Sequence, residues 1–203
     1  MVNRIRWRPA RATLPMVAVY VLMTGVGVAL AGPLGGAHLL AAAGDPVRTL
    51  GDVALGAGLA LPALGMGWWL ERIVPSLRAL AREVRALLGP LGLMDVAALS
   101  LASAVGEEVL FRAVLLPGLG LVPSAIAFGA AHGLYRRPYR AWSLYAMGMG
   151  LMLGALTLWT GTIVAAVVLH ATINYASFAD LVPGEVASQG PGTPGAGEGD
   201  AED

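Results

Sequence analysis

Six long apolar stretches run through this chain of 203 residues and leave little else to fold. A hydrocarbon core about 30 Å thick takes about 20 residues of helix to cross. The stretches lie near residues 14–32, 53–74, 91–116, 121–134, 141–159 and 162–178. Only 13% of the chain is charged, against about 25% for a typical soluble domain, and the mean hydropathy is +0.70. The expected fold class is all-α, a polytopic membrane helix bundle of about six transmembrane helices. The 28 glycines suit close helix approach in lipid. With no cysteine, disulfides and thiol chemistry are excluded.

Punctuation supports these bounds. Gly32-Pro33 ends the first stretch and Pro117-Gly118 the third. Trp68-Trp69 near the end of the second suits the aromatic belt at a membrane interface. The first stretch follows Arg4, Arg6, Arg8 and Arg11, as in a signal peptide, but it is long for one and lacks an A-x-A cleavage site. It is read as a retained helix. Between the second and third stretches, Leu77, Leu80, Val84, Leu87 and Leu88 recur at helical spacing, with Arg78, Arg82 and Arg85 on other faces. That pattern predicts an amphipathic helix on the membrane surface. The expected organisation is a two-helix membrane region with this surface helix (1–90), a four-helix core (91–180) and a disordered acidic tail (181–203). From Asp180 onward the chain has acids and no base, and is rich in Gly and Pro.

Arginine sets the expected orientation. Four arginines precede the first stretch, Arg72, Arg78, Arg82 and Arg85 follow the second, and Arg136, Arg137 and Arg140 follow the fourth, which is eleven of thirteen. Both termini are therefore expected in the cytoplasm, with the chain in the inner (plasma) membrane of a bacterium.

Few strongly polar residues remain inside the stretches: Glu107, Glu108 and Arg112, then His132, then His170 and Asn174. A charge at the centre of a membrane helix is costly and marks function by default. At about 1.5 Å per residue, Glu107, His132 and His170 lie roughly 15, 17 and 14 Å from the membrane face that holds the loops at 117–120 and 160–161. Three helices thus bring polar groups to a common depth. Glu108 and Arg112 are i,i+4 and share a helix face, whereas Glu107 points about 100° away. His170 and Asn174, and likewise Phe128 and His132, are also i,i+4.

These groups support hydrolysis of an amide in two ways. A carboxylate can take a proton from water that an imidazole holds, with an amide and a second imidazole stabilising the oxyanion. Alternatively Glu107, His132 and His170 could ligate zinc or another divalent metal, with water in the open position. Ser100 and Ser103 lie on the Glu107 helix, where small residues usually serve packing. Two other classes also place such residues at mid-membrane: a proton- or ion-coupled transporter, which commonly shows internal repeats that are not found here, and a non-catalytic membrane scaffold. The expected partners are the bilayer and a peptide or protein substrate, with no nucleic acid.

The ordered motifs resemble the CAAX protease and bacteriocin-processing (CPBP, or Abi) family of intramembrane proteases. The first, E-E-x-x-x-R, is Glu107, Glu108 and Arg112; the second, F-x-x-x-H, is Phe128 and His132; the third, H-x-x-x-N, is His170 and Asn174. The turn Thr160-Gly161-Thr162 also resembles the family pattern, and Ala113 departs from it where many members have Gly. The resemblance covers about 91–178. It implies that Glu107 is the general base, that His132 works with it on the water, that Glu108 and Arg112 hold the motif helix, and that His170 and Asn174 form the oxyanion site. Members are described both as glutamate-type proteases and as metalloproteases, so the resemblance leaves a metal cofactor open. It further implies a role in peptide maturation or a related processing system. The all-arginine, Ala- and Gly-rich composition makes a prenylated substrate improbable.

The arginine distribution predicts that reporter fusions at Gly44 and Arg137 report opposite sides of the membrane; the same side for both would overturn the orientation.

Overall fold

The computed structural model describes residues 10–40, 45–88, 90–135, 139–180 and 182. Arg4, Arg6, Arg8, Gly44, Arg136, Arg137 and the acidic tail from residue 183 lie outside the described residues, as does the side chain of Arg85. Among the described residues all the regular structure is helical. The elements are α1 (Thr13–Ala31), α2 (Ala37–Leu40), α3 (Pro46–Ile73), α4 (Pro75–Leu88), α5 (Leu93–Glu108), a π-helical stretch (Val109–Leu115), α6 (Leu116–Leu119), α7 (Leu121–Ala131), α8 (Arg140–Thr160) and α9 (Val164–Ala179).

Each apolar stretch becomes a helix, and the amphipathic segment becomes α4. Three helices, α1, α3 and α8, are long and apolar enough to cross a membrane, and α4 taken with the run from α5 to α6 makes a fourth candidate. The helices α7 and α9 are apolar but shorter. Two boundaries differ from expectation for local reasons. At its start α3 reaches back to Pro46, because Asp45 caps it by accepting the Val47 N–H at 2.8 Å and proline is tolerated at the first helical position. At its end α7 stops at Ala131 rather than continuing to residue 134. There His132 takes the C-cap and Gly133 follows at φ +97°, a backbone conformation that glycine adopts without steric cost.

The outer faces of α1 and α3 expose Val19, Leu22, Leu50 and Leu61. Apolar side chains pointing outward suit a lipid surround. Inside, contact is made largely by small residues: Ala60 and Ala63 of α3 meet Leu153 and Leu156 of α8 and Ala165, Ala166 and Leu169 of α9. Small side chains let backbones approach, and close dispersion contact drives association where lipid is as apolar as the protein. The principal pairings are α7 with α8, α3 with α9, α5 with α9, and α1 with α5.

One polar clamp sets the start of α9. The turn after α8 passes through Gly161 at φ +70°. The Thr162 hydroxyl donates to Asp52 Oδ2 of α3 at 2.8 Å and accepts the Val164 N–H at 3.3 Å. At the same turn the Arg48 guanidinium donates to the Thr160 carbonyl. Asp52 is buried, so losing its donor would strand a carboxylate. A hydrogen bond to a charged group contributes about 1.5–3 kcal/mol. Thr162→Val is expected to lower thermal stability in detergent by about that amount, and Asp52→Ala combined with it should add little, since both remove one contact. Full additivity would show that the two side chains act separately.

Candidate active site

Glu108, at the end of α5, is the most confined charge in the bundle. Its side chain and that of Arg112 have 0% exposure, and Arg112 Nε lies 3.0 Å from Glu108 Oε2. That approach is too poorly aligned to count as a hydrogen bond, so the contact is best described as an ion pair. The other oxygen, Oε1, accepts from His170 Nδ1 at 2.8 Å. One carboxylate therefore joins the π-helical stretch to α9.

The π-helical stretch begins directly after Glu108 and carries Arg112. Such wide turns inside helices are frequent at functional sites. The guanidinium lies over the Phe128 ring, 4.7 Å from its centroid. Phe128 also sits edge-on to Phe111 at 4.9 Å and against His132 at 4.6 Å. The first residue of the second motif is thus the aromatic wall between the buried cation and the second imidazole.

Glu107 has a different environment. Its Oε2 lies 3.8 Å from His132 Nε2 and 3.8 Å from His170 Nε2. Its side chain retains 13% exposure where Glu108 has none. Its Oε2 is nevertheless buried and has no hydrogen-bond partner. The other ring nitrogens are already used. His132 Nδ1 faces the Phe128 carbonyl at 2.7 Å, a partner that only accepts, so this nitrogen donates. His170 Nδ1 faces Glu108 and donates to it. Each imidazole therefore presents Nε2 to Glu107. Trp142 borders His132 at 5.9 Å and stacks with Tyr145 at 5.6 Å.

Asn174 lies one helical turn past His170 on α9, and its Nδ2 donates to Ser103 Oγ at 2.9 Å. Ser103 is one turn before Glu107 on α5. The two helices consequently pair in two layers, Glu108 with His170 and Ser103 with Asn174. Ser103 also donates to the Ser100 carbonyl at 3.2 Å, so its hydroxyl is engaged in packing α9 rather than set up as a nucleophile. Sequence reasoning did not pair Ser103 with Asn174, although the i,i+4 spacing to Glu107 and His170 carried that signal.

Among the described residues no group of three or more His, Asp or Glu side chains is arranged to hold a metal ion. No step below is routed through a metal.

Fold and site together describe a helix-bundle membrane protein that gathers two carboxylates, an arginine and two imidazoles within the bundle. Residues 89–176 match the Rce1-like family model, described as Type II CAAX prenyl endopeptidase Rce1-like. The match spans α5 to α9 and includes every residue of the three motifs; α1 and α3 lie outside it. No curated protein and no solved structure matches the chain.

Arg112→Leu should leave Glu108 buried without its cation, a change worth about 3–5 kcal/mol where a buried pair is broken. That variant is expected to express poorly and unfold early. The double change Glu108→Gln with Arg112→Leu removes both charges and should recover part of the yield. Detergent-extracted yield and thermal unfolding test this, and wild-type stability of Arg112→Leu would refute it.

Proposed function

We propose that the protein is an intramembrane endopeptidase in which Glu107 activates water for attack on a peptide bond. The observation that carries this reading is the convergence of both imidazole Nε2 atoms on Glu107 Oε2, each at 3.8 Å. A water there gives one hydrogen to the carboxylate and the other to His132 Nε2, and keeps an oxygen lone pair for the substrate carbonyl. Proton transfer to Glu107 accompanies attack. The new C–O bond turns the carbonyl oxygen into an oxyanion. His170, donating through Nδ1 to Glu108, carries a second proton on Nε2 and presents it to that oxyanion. With His170 doubly protonated, the set Glu107, Glu108, Arg112 and His170 has no net charge, which suits a low-dielectric site. The Asn174 amide spends one Nδ2 hydrogen on Ser103 and keeps the other for a substrate oxygen. Glu107 then returns its proton to the leaving nitrogen as the C–N bond breaks, and the products are a carboxylic acid and an amine. Glu108 and Arg112 position His170 without touching substrate.

The substrate class is a peptide or protein segment presented at the membrane, in peptide maturation or a related bacterial processing system. The chain's arginine distribution supports a plasma-membrane location with both termini in the cytoplasm.

Glu107→Gln keeps the size of the side chain and removes the base. It is expected to abolish cleavage of an internally quenched peptide library by the purified chain, a loss of at least 10²-fold, with thermal stability unchanged. Cleavage needs no ion gradient on this reading, which separates it from transport. Since no step requires a metal, prior treatment with a strong chelator should leave the rate within about two-fold. Wild-type turnover by Glu107→Gln would refute the proposal, and a chelator-sensitive rate restored by a divalent metal would replace water activation by Glu107 with a metal mechanism.

A further inference from the structure

The Ser103 hydroxyl stands between two partners whose roles in the hydrogen bonding are fixed. Ser103 is buried on α5 at 4% exposure, four residues before the first motif. A hydroxyl has one hydrogen to give and two lone pairs to accept with. The hydrogen goes to the Ser100 carbonyl at 3.2 Å, and a carbonyl can only accept. Towards α9 the Ser103 oxygen is therefore an acceptor alone, and it accepts from Asn174 Nδ2 at 2.9 Å.

That order decides which way round the Asn174 amide sits. A carboxamide has a donor end and an acceptor end of nearly the same shape, and a half-turn exchanges them. A turned Asn174 would set Oδ1 against the Ser103 oxygen, two acceptors with no hydrogen between them. A buried hydrogen bond lost in this way disfavours the turned state. With Nδ2 held to α5, its second hydrogen faces away from Ser103; in the turned amide a lone pair of Oδ1 would take that place. We propose that Ser103 is a positioning residue for the reaction: by accepting from Asn174 Nδ2 it fixes the amide so that a donor, and not a lone pair, faces the substrate oxygen. This rests on the reading of Asn174 as part of the oxyanion site. Ser103 itself touches no substrate. A donor aimed at an oxyanion acts on the transition state more than on bound substrate, so the effect belongs to kcat rather than KM.

With the internally quenched peptide library and the purified full-length chain, Ser103→Ala is expected to lower kcat about ten-fold with KM unchanged, the scale of one hydrogen bond. Ser103→Thr keeps a hydroxyl able to bond back along the helix and should restore most of the rate. Asn174→Ala should lower kcat at least as far, and adding Ser103→Ala to it should cost nothing more, because a positioning residue acts only through the group it positions. Two-dimensional ¹⁵N spectra read the amide itself: the side-chain NH₂ pair lost in Asn174→Ala should shift in Ser103→Ala and stay in place in Ser103→Thr. Ser103→Cys, close in size and a weak acceptor, gives the same readings should Ser103→Ala unfold early. An unshifted NH₂ pair in the Ser103 variants without a hydroxyl, or an undiminished loss of kcat on adding Ser103→Ala to Asn174→Ala, overturns this inference. Wild-type turnover by Asn174→Ala overturns the oxyanion reading instead, whether or not the NH₂ pair shifts.

Discussion

Glu108 has no exposed surface, and both of its carboxylate oxygens face a cationic or donating partner, Arg112 on one side and His170 on the other. A carboxylate removed from water in this way is tolerable only with such partners. The rest of the site follows from that requirement. The pairing with Arg112 spans the start of the π-helical stretch, and the pairing with His170 draws α9 against α5. With Nδ1 committed to Glu108, the His170 ring has its Nε2 directed to Glu107. The second glutamate thus ties α5 to α9 beside the first.

Two further contacts hold this arrangement from above and below. Asp52 and Thr162 fix the turn from which α9 starts, and Ser103, one turn before Glu107 on α5, joins α9 through Asn174. Between these contacts His170 has little freedom. His132 is held more loosely: it caps the end of α7, its side chain is 20% exposed, and its anchors are the Phe128 carbonyl and ring. Of the two imidazoles, it is the more exposed, 20% against 10% for His170.

Much of this could be read from particular residues. The continuous apolar stretches required helices, the spacing of the leucines and arginines in 75–88 required an amphipathic one, and charge in mid-stretch marked Glu107, Glu108, Arg112, His132 and His170 as residues to explain. The i,i+4 spacing also separated the two glutamates correctly, because an α-helix turns 100° per residue and adjacent side chains cannot share a face. Other features were not legible. The π-helical stretch has no composition of its own, and the stop of α7 at Ala131 depends on a side chain folding back onto a carbonyl. The role of Ser103 emerged only when α9 was placed beside it.

The sequence by itself determined the class of fold and the pairing of Glu108 with Arg112, since each depends on hydropathy or on distance along one helix. Tertiary structure decided which nitrogens face Glu107 and that Asn174 donates to Ser103. These are contacts between helices far apart in the chain. They are set by how closely backbones pack at small residues, and no periodicity within a single segment encodes that separation.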